Sequence, residues 1–219
     1  MRLADHVYVL TTALFILIWY FSLSWSKLQK AAKHSYEVHD FVTDCDNPGL
    51  FKSHFDCCPH KHCPVNHFPF HLHSGVANVV AAKICFNNTI IMGGIVNNAG
   101  QGLNIVLRNK HFNLKYTGPK KLLAYLKTLK PGNIVLVASH IDPTPKLTDE
   151  IRDIFTALGS TMVKSLKPRD SWVFAGAYGV REASPFEKLI QNDMRSNAYE
   201  DWPEMAEVIG CFPRISETE

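Results

Sequence analysis

Cys57, Cys58, His60, His62, Cys63, His67, His71 and His73 crowd residues 57–73, and these are the side-chain types that hold zinc. Zinc requires deprotonated thiolates in a tetrahedral set, and the spacing here matches no standard finger. Oxidation is the competing chemistry. The chain has 6 cysteines, Cys45, Cys57, Cys58, Cys63, Cys85 and Cys211, bunched behind an apolar N-terminal segment. An even number in that position fits a disulfide framework formed in an oxidising compartment. Cys211 lies far from the others, so its partner belongs to the early group and ties the end of the domain to its beginning. The remaining histidines, exposed, would change charge below pH ~6.5.

Two further groupings carry the residue types of catalysis. Ser139, His140 and Asp142 have the composition of a hydrolytic triad. Nearly adjacent after a strand, they cannot point at one another as a proton relay requires, and no nucleophile elbow surrounds the serine. Gly100-Gln101-Gly102 is half of a dinucleotide fingerprint, without the third glycine or the acidic residue ~20 positions on. It reads as a turn. No enzyme activity, cofactor or metal is expected. With 23 basic and 20 acidic residues and a net charge of +3, the chain has no basic stripe, which sets nucleic acid aside. Asn87-Asn88-Thr89 is an N-glycosylation sequon in a loop, so Asn87 is the expected acceptor in a secretory context.

The elements that must position these residues begin with an uncharged segment, Val7 to Ser26. Arg2 before it and the small Ser22 and Ser24 near its end suit a cleaved signal peptide. It approaches the ~20 residues that span a bilayer, so an uncleaved anchor is the alternative. Lys27, Lys30 and Lys33 follow it and do not fix an orientation. Either way the remainder faces the lumen or the outside. Residues 27–56 read as a linker or stem, 57–214 as one globular domain of ordinary size, and 215–219 as a tail.

Within the domain, Phe68–His73 alternates with period two and predicts a strand, with Pro69 arguing for an edge position. Ala82–Phe86 and Thr89–Met92 flank Asn87-Asn88 as a hairpin, and Leu103–Leu107 is a further strand. Leu122, Leu123, Leu126 and Leu129 share a helical face that Pro131-Gly132 terminates. Ile134–Ala138 is a continuous apolar run, the mark of a strand buried on both faces. Thr148 with Asp149 and Glu150 opens a second helix, and Gly159 closes it. Trp172–Ala177 is a strand with Trp172 as a core anchor. Ser184-Pro185-Phe186-Glu187 forms a capping box that predicts a third helix, and Glu207–Ile209 is a short final strand. Trp202-Pro203 should pack that strand and bring Cys211 to its partner. The sum is an α+β domain with about three helices and mixed or antiparallel sheets.

Several segments recur in a specific order: Ser74-Gly75-Val76-Ala77-Asn78-Val79-Val80, Lys83-Ile84-Cys85-Phe86, and Asn97-Asn98-Ala99-Gly100-Gln101-Gly102-Leu103-Asn104-Ile105. After them come Arg169-Asp170-Ser171-Trp172-Val173-Phe174, Ser184-Pro185-Phe186-Glu187, Trp202-Pro203-Glu204 and Gly210-Cys211. Together they resemble the secreted cytokine-like family that includes pancreatic-derived factor and the interleukin-like inducer of epithelial–mesenchymal transition. The resemblance spans Cys57 to Arg214. It implies a compact, disulfide-stapled β-β-α fold related to the carbohydrate-binding stem domain of a protein O-mannose N-acetylglucosaminyltransferase.

The resemblance also implies two disulfides, Cys57–Cys85 and Cys63–Cys211. Cys45 and Cys58 have no counterparts in the family pattern, and form either a third bridge or a link between two chains as a homodimer. Two departures stand out. The segment between Leu107 and Phe112 is short, so a family hairpin is trimmed. The family's acidic positions after that hairpin are here Phe112-Asn113 and Gly118-Pro119. Asn113, Asp142, Arg169 and Asp170 are the candidate ligand-binding residues, with Arg169 and Asp170 alternatively an ion pair at the strand entrance. The implied function is signalling through a cell-surface receptor, with glycan recognition as part of the contact. A lumenal or membrane-tethered lectin-like module is the alternative, membrane contact requiring an uncleaved N-terminal segment.

Overall fold

The computed structural model describes residues 12, 14–20, 63–107 and 110–213. Residues 14–20 are helical with exposed apolar side chains. No helix among the described residues is long and apolar enough to cross a membrane. The chain divides into two units, Met1–Phe51 and Lys52–Glu219, and the sheet structure of the described residues lies in the second.

Alternation of side chains across each strand sorts this unit into three layers. The first sheet has the order β3-β2-β1-β9, built from β1 (His67–His73), β2 (Lys83–Phe86), β3 (Thr89–Met92) and β9 (Glu207–Pro213). The second has the order β5-β4-β6-β7-β8, from β4 (Gly102–Leu107), β5 (Lys110–Asn113), β6 (Ile134–His140), β7 (Ser171–Ala177) and β8 (Glu187–Ile190). Every pairing within the two sheets is antiparallel. Among the described residues of this unit three helices, α1 (Leu114–Thr117), α2 (Pro119–Leu126) and α3 (Asp149–Ala157), complete an α+β fold.

Phe70, Leu72, Ile84 and Met92 from the first sheet meet Leu136, Ala138, Val173 and Ala175 from the second in one core. Leu103, Ile105, Val135, Val137, Trp172 and Phe174 point the other way, onto Leu122 and Leu126 of α2 and Ile151 and Phe155 of α3. The five-stranded sheet is therefore buried on both faces, which is why Ile134–Ala138 has no polar alternation. Phe155 stands edge-on to Trp172 and Phe174, its ring centre 5.8 and 6.1 Å from theirs. Such pairs add about 0.5–1.5 kcal/mol beyond area burial. The Thr148 side chain accepts the Ile151 N–H at 3.4 Å and caps α3, whose first turn carries Asp149 and Glu150.

Two sequence expectations fail. Pro69 is not on an edge strand: β1 lies between β2 and β9. The ladder with β2 begins only at Phe70, opposite Phe86, and the Pro69 carbonyl accepts the Asn87 N–H of the following turn at 2.8 Å. In an antiparallel strand a residue's N and O share a side, so the missing donor faces the hairpin turn, where no ladder bond is required.

The capping box also opens no helix. Ser184 Oγ accepts the Phe186 N–H at 3.1 Å, a local turn, and donates to the Ala175 carbonyl. Glu187 enters strand β8, its carboxylate taken by groups far along the chain. Phe186 packs edge-on to Phe70 and Phe212, with ring centres 5.0 and 5.4 Å apart. Tertiary packing of Phe186 and Glu187 outweighs the helix start. The third helix is instead the single turn α1, directly after β5.

Candidate functional site

Antiparallel register brings the candidate residues to one end of the five-stranded sheet. Gly102 lies opposite His140, Asn104 opposite Asn113, and Ser171 opposite Ile190. Asn113 ends β5, Asp142 follows β6, and Arg169 and Asp170 precede β7. All four therefore belong to the same set of loops.

Most of their polar groups are engaged internally. Asn104, fully buried, accepts from Gly100 N at 2.9 Å and from Asn113 Nδ2 at 3.0 Å, and donates to the Gly100 carbonyl at 2.8 Å. Asn113 also donates to the Gln101 carbonyl at 3.1 Å. This asparagine pair fixes the 97–102 turn, so Asn113 positions a loop. Asp142 Oδ1 accepts from the backbone N of Thr144 at 2.9 Å and from its hydroxyl at 2.8 Å, an Asx-type turn. Asp170 is buried, and its two oxygens accept the Lys167 and Asn192 N–H groups, both at 2.8 Å. It joins the start of β7 to the loop after β8.

Arg169 differs. In place of the alternative ion pair with Asp170, the residue is exposed, and its guanidinium carbon lies 5.1 Å above the centre of the Trp202 ring. A stacked cation of this kind contributes ~0.5–1 kcal/mol when exposed. Its backbone φ of 66° lies in the left-handed region, which a non-glycine residue adopts at a cost. Asp170 beside it is anchored on both oxygens, which holds that turn in place.

Ser139 and His140 are also committed to structure. Ser139 Oγ accepts the Trp172 N–H at 2.8 Å. His140 Nε2 donates to the Ala77 carbonyl at 2.9 Å, tying the 75–80 turn to the end of β6. Burial pushes the His140 pKa below the usual histidine range, against the opposing pull of the Ala77 and Gly100 carbonyls. With Asp142 engaged by Thr144, no relay joins these three residues. A Cβ on Gly75 would lie 2.2 Å from His140 Cδ2 and 2.7 Å from the Val80 carbonyl, so only glycine lets the imidazole dock there.

The cysteines define a second region, at the first sheet. Cys63 and Cys211 are joined, with a Cα–Cα separation of 5.8 Å. Cys85 is disulfide-bonded to a cysteine outside the described residues. Cys57, and with it the Cys57–Cys85 assignment, lies outside those residues, as do Cys45, Cys58, His60 and His62. The thiols of Cys63, Cys85 and Cys211 are thus oxidised and not available as zinc thiolates.

Opposite the core face of this sheet, His71 Nε2 lies 2.6 Å from Glu207 Oε1. Half-buried His73 donates from Nδ1 to the Ser74 carbonyl at 3.0 Å. In register, His73 is flanked by Lys83 of β2 and Glu207 of β9. Desolvation pushes the His73 pKa down to about 4 and lowers that of Lys83. The hydrogen bond from His71 holds the Glu207 carboxyl below its ordinary range.

Sequence reasoning missed Trp202 as the partner of Arg169, Asn104 as the hub of the 97–102 turn, and Gly75 as the seat of His140. A two-strand register is needed to see the Asn104–Asn113 pair, and that register depends on β5, which the short Leu107–Phe112 segment obscured.

A family model described as interleukin-like EMT inducer matches residues 94–180. The chain is 44% identical to Protein FAM3D of Homo sapiens over 168 residues, 73% of this chain and 75% of that protein. It is 41% identical to Protein FAM3C of Rattus norvegicus over 169 residues, 73% and 74% of the two chains. To Protein FAM3A of Homo sapiens it is 41% identical over 171 residues, 74% of each.

Proposed function

The chain belongs to the cytokine-like family of interleukin-like EMT inducers, the FAM3 proteins, and on that premise we propose a secreted signal that acts by binding a cell-surface receptor and performs no chemistry of its own. The observation that carries the location of the contact is the exposed Arg169 stacked on Trp202. Around it Asn113, Asp142 and Asp170 are consumed in loop scaffolding. A rigid frame presenting an arginine and an aromatic ring suits recognition, since such residues dominate binding energy at interfaces.

Glycan recognition belongs to the same reading. An indole face and a planar guanidinium are suited to a sugar ring and its hydroxyls or carboxylate. Val7–Ser26 is the cleaved leader, residues 27–56 the stem, and 57–214 the active domain. Cys45 and Cys58 are the residues through which two copies join if they do not bridge within one chain. The competing reading, a lumenal or tethered lectin-like module, draws on the apolar helical residues 14–20.

Mass spectrometry of cells expressing the full chain separates the two. The proposal requires a product in the medium whose N-terminus lies beyond the apolar segment. A full-length product retained in membranes contradicts the soluble signal. On a glycan array, Arg169→Ala and Trp202→Ala should each abolish any selective binding. Retention of that binding by both variants contradicts the assigned surface.

A further inference from the structure

Asn87 and Asn88 form the tip of the β2–β3 hairpin, with φ of 50° and 63°. Two consecutive left-handed residues make the tight turn whose twist matches the flanking strands. Asn87, Asn88 and Thr89 are all exposed. Asn98 nearby is a contrast: its carboxamide donates to the Ile91 carbonyl at 2.8 Å and accepts from Gly93 N at 3.0 Å. The Asn98 amide is built into the hairpin, whereas that of Asn87 is presented to solvent.

The backbone of the same sequon is locked. The Asn87 N–H is held by the Pro69 carbonyl of β1 at 2.8 Å. Thr89 is paired with Phe86 across the turn. Two residues before Asn87, Cys85 is buried and disulfide-bonded. A transferase that must bring the Thr89 hydroxyl to the Asn87 carboxamide needs the turn opened, and these three restraints oppose opening.

We propose that Asn87 is N-glycosylated, and that its occupancy is set by a race between glycan transfer and closure of the Cys85 disulfide. The inference rests on the secretory reading above. The donor is a lipid-linked oligosaccharide pyrophosphate. The bond from Asn87 Nδ2 to the anomeric carbon forms as the anomeric carbon–oxygen bond to pyrophosphate breaks. Nδ2 loses one proton, and the lipid pyrophosphate departs. Transfer takes place while the hairpin is open, and a chain that closes first stays bare. The glycan then stands at the end of β3, an edge of the four-stranded sheet. Exposed edges template pairing with other chains, and a bulky hydrated substituent at the turn obstructs that approach.

The test expresses the full chain in mammalian cells and releases glycans enzymatically in heavy-oxygen water, so that an occupied Asn87 becomes a labelled aspartate. Occupancy is read by mass spectrometry in cellular and secreted pools. Three conditions are compared: untreated wild type, wild type synthesised under a brief dithiothreitol pulse, and Cys85→Ser. The pulse arm keeps the test valid if the variant folds poorly. Expected is partial occupancy in wild type, rising at least twofold in the cellular pool under the pulse and in Cys85→Ser. A secreted, Cys63–Cys211-bridged product with no occupied Asn87 in any of the three conditions overturns this inference and leaves the secretory reading standing. Occupancy that is complete in wild type, or unchanged by the pulse, overturns the race. A product confined to the cytosol with reduced Cys211 overturns both.

Discussion

The indole N–H of Trp172 donates to Glu187 Oε1 at 3.0 Å, joining the largest fully buried side chain of the domain to a carboxylate on its edge strand. The same carboxylate accepts from the Ser160 hydroxyl, from Thr161 N at 2.7 Å and from Met162 N at 3.3 Å. One side chain thus fastens the turn after α3 to the rim of the five-stranded sheet. Glu187→Ala leaves a buried indole donor and several backbone donors without their acceptor. Hydrogen bonds to charged groups are worth about 1.5–3 kcal/mol each and do not add in a network, so a loss of ~3 kcal/mol is expected. Glu187→Gln, which keeps an acceptor oxygen, should lose about half as much. Urea unfolding of both variants checks the ranking, and equal stabilities contradict it.

That carboxylate also explains which parts of the fold were legible in the sequence. Ile134–Ala138 announces burial on both faces because a sheet sandwiched between a second sheet and helices needs apolar residues at every position. Thr148-Asp149-Glu150 announces α3 because a cap and helix dipole are local interactions. Ser184-Pro185-Phe186-Glu187 has the same local signature, but Glu187 meets Trp172 and Phe186 meets Phe70 through contacts that only tertiary structure creates. Pro69 misleads for the same reason: the direction of its missing donor depends on where the β2 ladder begins. At the candidate site, Arg169 stands among the candidates named from the sequence, but its pairing with Trp202 lies beyond local sequence.

Acid should weaken the four-stranded sheet. The His73 pKa in the fold, about 4, lies below the ordinary histidine value of 6.5. The unfolded chain therefore binds the proton first, and stability falls as pH drops from 6.5 to 4. Half-buried His140 is shifted in the same direction, and Glu207, held low by His71, adds a loss below its ordinary value of 4.5. Each tenfold separation in proton affinity is worth ~1.4 kcal/mol. With allowance for the partial exposure of His73, the loss is on the order of 2 kcal/mol, or a fall in Tm of roughly 5–8 °C between pH 7 and 4. His73→Phe should flatten much of this acid limb in calorimetry. An unchanged limb contradicts the assignment.

The Cys63–Cys211 bridge spans 148 residues of sequence and holds β9, which among the described residues pairs within its sheet only with β1. The chain-entropy model gives about 5 kcal/mol as an upper value for such a loop. Cys211→Ser should lower both thermal stability and the amount of protein delivered to the medium. Wild-type yield and Tm contradict a stabilising role.

Gly75→Ala places a methyl group where His140 docks. Displacement of the imidazole breaks its bond to the Ala77 carbonyl and frees the 75–80 turn. A destabilisation of ~2 kcal/mol is expected from overpacking and the lost hydrogen bond. Amide exchange should accelerate at Val79 and Val80 more than in β6. Uniform exchange rates in wild type and variant contradict the local role.

Receptor binding through the Arg169–Trp202 surface is most directly tested by saturation binding of labelled, secreted protein to live cells, with wild type compared with Arg169→Ala. Arg169 is exposed and outside both cores, so the variant should lose no more than the ~0.5–1 kcal/mol of the stacked cation and keep the wild-type Tm within about 4 °C. The account predicts saturable wild-type binding that unlabelled protein displaces, weakened at least tenfold in Arg169→Ala. Binding that does not saturate, or that is equal in the two proteins, contradicts it.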